Sequence, residues 1–192
     1  MVQLTGSKKI RTAVFISGNG SNLKNLIKFS KLKKAPIQIN LIISNNLRAK
    51  GLNFGKLYKI KNKVFNFENN LVEKKILHEL KKNHINLICL AGFMKILSKY
   101  FIKNFKGKIL NIHPSLLPKY KGLNTHKRAI DNKEKLSGCT VHYVTSKLDS
   151  GKIIAQRKVK IKKYESPKSL AKKILIQEHI LYPMAILKIF NL

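Results

Sequence analysis

Asn111 and His113 stand two residues apart in the run Leu110 to Lys119, LNIHPSLLPK. In an extended strand that spacing sends both side chains to the same side. An amide N–H donates to an oxygen on which negative charge is growing. An imidazole stabilises the same charge when protonated and moves protons near neutral pH. Pro114 and Pro118 stiffen the loop that follows. A charged histidine needs support, and a nearby carboxylate raises its pKa. Asp149, in the loop sequence LDSG, is the candidate, because only eight Asp and Glu stand against 40 Lys and Arg. Plainer roles exist for each residue: a histidine near a strand end is commonly structural or solvated, and Asp-Ser-Gly is turn sequence. Spacing alone reaches an oxyanion site beside an anion site and stops there.

The anion site is Ser17-Gly18-Asn19-Gly20-Ser21-Asn22. Its glycines permit positive φ and close approach of a ligand to the backbone. The amides at the start of the following helix, with hydroxyl and amide side chains beside them, suit a phosphate. The run is not the dinucleotide fingerprint, which would need glycine at Leu23, nor a Walker loop, which would need GKS or GKT. A simple turn with a helix cap is the other reading of the same residues.

The elements that must position these groups alternate along the chain. Hydrophobic patterning predicts strands at Ile10 to Ile16, Ile37 to Ile43, Lys63 to Phe67, Ile85 to Ala91 and Lys108 to Ile112. Helices are expected from about Asn22, near Arg48 to Tyr58, over Leu71 to Asn83, from about Ile96 to Phe105 and near Thr125 to Asn132. Cys139 to Val144 and Ile153 to Ile161 read as antiparallel late strands. A last helix opens at Ser166-Pro167, a cap followed by proline in the first turn, and bends near Pro183. The fold class is α/β: a Rossmann-like three-layer αβα arrangement with a mostly parallel central sheet, expected as one domain over residues 1–192. In such sheets ligands bind beyond the carboxyl ends of the strands, where both motifs fall.

A formal charge of +32 would ordinarily suggest nucleic acid. Yet only four of the 40 basic residues are Arg, the better reader of phosphates and base edges, and the lysines spread along the whole chain. Abundant Asn, Ile and Lys together fit an AT-rich coding bias, with polyanion binding at low salt as the alternative. No specific nucleic-acid partner is expected. Cys89 and Cys139 lie in apolar strand-like segments without metal-ligand spacing, so free buried thiols and no metal are expected. No apolar run approaches the ~20 residues that cross a bilayer, and a cytoplasmic location with no membrane partner is expected.

At these motifs the chain resembles the folate-dependent formyltransferases. The stretches that carry the likeness are AVFISGNGSNL (Ala13 to Leu23), LAGFMKILS (Leu90 to Ser98), LNIHPSLLPKYKGLNTH (Leu110 to His126), GCTVHYVTSKLDSG (Gly138 to Gly151) and QEHILYP (Gln177 to Pro183), in the family's order. The resemblance implies transfer of the formyl group of 10-formyltetrahydrofolate, as co-substrate, to the amino group of glycinamide ribonucleotide in purine biosynthesis. It implies Asn111, protonated His113 and Asp149 as the catalytic trio. Gly20, Ser21 and Asn22 would contact the nucleotide, Glu178 would hold its glycinamide end, and Gln177 would join the residues that bind this substrate. Met94, Lys95, Ile96 and Leu97 would line the folate pocket, together with Asn111 and the loop Thr145, Ser146, Lys147, Leu148 and Asp149. The chain departs from the family pattern in three places. Asn69 replaces an Arg near the folate's carboxylate tail, Lys95 replaces a frequent Arg, and Ser146-Lys147 replaces an acidic pair.

A formyltransferase acting on methionyl-tRNA is the alternative within the superfamily; it calls for a further C-terminal domain and would use a basic surface. A non-catalytic nucleic-acid-binding protein is the alternative from another class, and it lacks the expected aromatic platforms and Arg clusters. The expected partners are therefore small molecules, acting on a monomer or homodimer.

Overall fold

The computed structural model describes residues 9–67 and 71–192. Five strands come first: β1 (Ile10–Ile16), β2 (Ile37–Ser44), β3 (Lys61–Val64), β4 (Leu87–Leu90) and β5 (Lys108–His113). They are interleaved with α1 (Ser21–Ser30), α2 (Leu52–Tyr58), α3 (Leu71–Lys82) and α4 (Lys99–Asn104). Then follow α5 (Thr125–Asp131), β6 (Leu136–Tyr143), β7 (Ile153–Lys160) and α6 (Pro167–Ile189). The strands form one sheet in the order β3-β2-β1-β4-β5-β6-β7. Neighbours from β3 to β5 run parallel, while β6 is antiparallel to β5 and β7 to β6. The mostly parallel, Rossmann-like α/β arrangement read from the sequence is the one observed.

Alternation along the strands divides the apolar side chains between two faces. On the first, Val14, Ile16, Cys89, Leu110, Ile112, Cys139 and Val141 pack against α1 and α6. On the second, Ala13, Phe15, Ile88, Leu90 and Ile109 meet Val72, Ile76 and Leu80 of α3 and Phe101 of α4. Both cysteines are free and buried.

Several boundaries differ from expectation: α2 begins at Leu52 and not near Arg48, β4 is shorter than Ile85 to Ala91, and β6 spans Leu136–Tyr143 where Cys139 to Val144 was expected. β3 begins and ends earlier than Lys63 to Phe67, because its ladder closes at Ser44↔Val64 and Phe65 and Phe67 turn into the second core instead. α4 begins at Lys99 and not near Ile96: the Ser98 hydroxyl accepts from the Phe101 amide at 3.1 Å and fixes the first turn there. Residues 92–98 are thereby left as a loop beyond β4. α6 continues through Pro183 to Ile189. A proline there cannot donate to the carbonyl four residues earlier, and that carbonyl, of His179, instead accepts from Asn25 Nδ2 of α1 at 2.6 Å.

The chain turns back between β1 and β4, so the loops after these two strands flank the switch crevice. They are joined: Ser17 N donates to Gly92 O at 3.1 Å, and Met94 N donates to Ser17 Oγ at 2.7 Å. Among the described residues no helix is long and apolar enough to cross a membrane.

Phe101 is fully buried, with its ring against Phe15 and Phe105. Phe101→Ala is expected to cost about 3–5 kcal/mol of stability, read as a lower urea midpoint at unchanged slope.

Candidate functional site

The anion loop leads from β1 into α1. Gly20 sits at the helix N-cap with φ 72°, and a Cβ there would lie 2.7 Å from Gly51 Cα, so only glycine lets the two loops touch. No side chain caps the helix, and the first bond inside it is Lys24 N to Gly20 O. The amides of the first turn are therefore left to an incoming acceptor. Asn22 and Glu178 meet at this end. Asn22 Nδ2 donates to Glu178 Oε2 at 2.7 Å, while Asn22 Oδ1 is buried without a partner. Burial pushes Glu178 up to about 7 against the pull of that bond. Gln177, one residue earlier on the helix, points elsewhere: its Oε1 accepts from Arg157 Nε of β7 at 2.6 Å. Adjacent helical residues diverge by about 100°, so the pair expected from sequence is split, and Glu178 alone reaches the loop.

The second cluster forms at the end of β5, on the second face. Asn111 and His113 share a face as their spacing predicts, and the fold brings Asp149 to them. His113 Nδ1 lies 3.4 Å from Asp149 Oδ2, and Asn111 Nδ2 lies 3.5 Å from Asp149 Oδ1. The Gly122 amide donates to Asp149 Oδ2 at 2.9 Å. Asp149 takes φ 45°, a left-handed turn conformation that Asp tolerates better than most residues. Burial pushes its pKa up. Contact with the His142 ring, the Gly122 amide and the neighbouring imidazole charges outweighs this and holds Asp149 below the usual carboxylate range.

His113 differs from expectation. Its side chain is 7% exposed, and burial lowers its pKa below that of an ordinary imidazole. The Tyr120 carbonyl and Asp149 pull the other way without prevailing. The neutral ring has one N–H for two acceptors. Nε2 donates to Tyr120 O at 2.9 Å, leaving Nδ1 at a long separation from the carboxylate. The charged His113 expected from sequence is thus disfavoured in this form by desolvation, and its N–H is committed to a loop carbonyl.

Three groups around the trio were missed by the sequence reading: His142, which faces both Asn111 and Asp149, the Gly122 amide and the Tyr120 carbonyl. The signal for His142 was an antiparallel register that sequence does not state. Asn111 pairs directly with His142 across β5 and β6, and paired residues share a face. In the loop after β4, Met94, Lys95 and Ile96 are exposed while Leu97 is buried in the second core. Thr145, Ser146, Lys147 and Leu148 are exposed, with Thr145 Oγ1 donating to Lys147 O at 3.2 Å. Asn69 lies outside the described residues. Among the described residues no group of three or more His, Cys, Asp or Glu could hold a metal ion.

Residues 10–186 match the family described as Formyl transferase. A phosphoribosylglycinamide formyltransferase of Haemophilus influenzae is 44% identical over 183 residues, covering 93% of this chain and 85% of that protein. The human trifunctional purine biosynthetic protein adenosine-3 is 40% identical over 93% of this chain, which spans only 18% of that protein's length. The crystal structure of phosphoribosylglycinamide formyltransferase from Brucella melitensis superposes with a TM-score of 0.89 at 42% identity, covering 95% of this chain and 96% of that one.

Because Glu178 titrates higher folded than unfolded, the folded chain binds the extra proton between 4.5 and about 7. Its stabilising contribution is full below the unfolded value and is lost as pH rises through the folded one. Glu178→Gln is therefore expected to gain about 3 kcal/mol on wild type between pH 4 and pH 8, measured by urea unfolding at both.

Proposed function

The chain belongs to the formyl transferase family, and on that footing we propose that it moves a formyl group from 10-formyltetrahydrofolate to the primary amine of glycinamide ribonucleotide. The observation that carries this reading is the convergence of Asn111, His113 and Asp149 at the end of β5, with an uncapped helix N-terminus beyond β1 at the same edge of the sheet.

The free helix amides, Gly20, Ser21 and Asn22 hold the nucleotide phosphate, and Glu178 takes up the glycinamide end. The exposed apolar side chains Met94, Ile96 and Leu148 give the folate an apolar bed beside the trio. Their fit to such a ligand is a matter of chemistry: large apolar groups left in water around polar ones are what a flat heteroaromatic body covers.

The amine nitrogen attacks the formyl carbon, a C–N bond forms, and the carbonyl π pair moves onto oxygen. The Asn111 amide donates to that oxygen. His113 joins when its Nε2–H leaves the Tyr120 carbonyl and donates to the same oxygen. A proton taken from water at Nδ1, and returned to water when the carbonyl re-forms, gives the imidazolium that the negative oxygen favours and burial alone resists. Asp149 steadies that charge. The tetrahedral adduct collapses with cleavage of the bond to folate nitrogen, which receives the proton lost by the amine through a water.

Purified protein given glycinamide ribonucleotide and a formyl-folate analogue is expected to consume the formyl donor, followed spectroscopically; no turnover would refute the reading. Asn111→Ala should lower kcat about 10²–10³-fold, and Asp149→Asn should also cripple turnover with the fold intact. Normal kcat in both would remove them from the chemistry. Ser21→Asp places a negative charge beside the phosphate and should raise the Kd of the nucleotide; an unchanged Kd would mean that the phosphate binds elsewhere.

A further inference from the structure

We infer that His142 is a positioning residue that fixes which atom of the Asn111 amide faces the reacting oxygen. This rests on the oxyanion role proposed for Asn111. His142 is 2% exposed, sits directly across from Asn111 in the β5–β6 register, and has no task in the reaction just described.

Two contacts define its protonation pattern. Nδ1 is 2.8 Å from the Tyr143 carbonyl, which can only accept, so Nδ1 carries the hydrogen. Nε2 is 3.2 Å from Asn111 Nδ2, which can only donate, so Nε2 presents a lone pair. Both demands are met by one neutral tautomer. That lone pair takes one N–H of Asn111 and holds the amide nitrogen toward the site. The second N–H, whose nearest acceptor is Asp149 Oδ1 at a long 3.5 Å, remains for an incoming oxygen.

The reversed amide is disfavoured on two sides. Its oxygen would meet the Nε2 lone pair and the Asp149 carboxylate, which itself lies 3.6 Å from Nε2. An amide so reversed would turn its own carbonyl oxygen on the developing oxyanion. His142 therefore converts a two-fold ambiguous amide into a directed donor, as a rigid partner does for other preorganised sites.

The test pairs two substitutions that divide the ring. His142→Asn keeps a group near Nδ1 for the Tyr143 carbonyl and loses the acceptor at Nε2. His142→Gln places an amide oxygen where Nε2 was. With Tm values checked for each, His142→Asn should lower kcat about ten- to a hundred-fold with KM within about twofold, and His142→Gln should stay within about threefold of wild type. In an Asn111→Ala background, His142→Asn should add less than about a twofold further loss. Equal activity in the two His142 variants, or penalties that multiply with Asn111→Ala, would overturn the inference. The tautomer has its own readout: ¹⁵N-edited spectra of the wild-type His142 ring should show hydrogen on Nδ1, and hydrogen on Nε2 alone would refute the pairing whatever the activity. A wild type without formyl transfer would refute the proposed reaction, while the spectra still judge the pairing.

Discussion

The Asp149 carboxylate keeps its charge with only 8% of its side chain exposed, and the candidate site is organised around that need. An isolated buried carboxylate is costly unless donors surround it. The Gly122 and Asn111 amides supply the donors, with the His113 and His142 rings beside them, from separate segments. The left-handed turn at Asp149 aims the carboxylate back at them. The geometry of the site follows from one ion that must not be left alone.

That solution avoids lysine, in a chain with 40 Lys and Arg. Glu79, Asp131, Glu134 and Glu165 pair with Lys61, Lys127, Lys119 and Lys173. Three acids do otherwise: Glu73 is held by Ser98, Glu178 by Asn22, and Asp149 by the Gly122 and Asn111 amides. Burial alone does not decide this, since the Glu165 side chain is only 3% exposed and still takes Lys173. A lysine is a strongly hydrated point charge that resists burial. Neutral donors and histidines are cheaper to desolvate and leave the acid's protonation adjustable, as the rise of Glu178 to about 7 illustrates.

The sheet puts the two motifs at one edge. Asn22 and Glu178 lie on the α1 and α6 side, whereas Asn111, His113 and His142 lie on the other. Both groups stand at the carboxyl edge of the parallel strands, on either side of the switch between β1 and β4. The Ser17 hydroxyl, bonded to Met94 N, ties the loop after β1 to the loop after β4. Membership in the formyl transferase family rests on the match over residues 10–186.

Sequence by itself determined the order of the elements, the two sheet faces and the positions of Asn111, His113, Asp149 and the SGNGSN turn, because these follow from local periodicity, turn chemistry and spacing. It did not determine which neighbours meet across the fold. The β5–β6 register brought His142 opposite Asn111, and a one-residue slip would have turned it to the other face. Helical phase separated Gln177 from Glu178. The balance of desolvation against partners, which left His113 below and Glu178 above their ordinary pKa values, exists only once the chain has closed around them. Tertiary structure decided those things because burial and hydrogen-bond partners are properties of distant segments brought together.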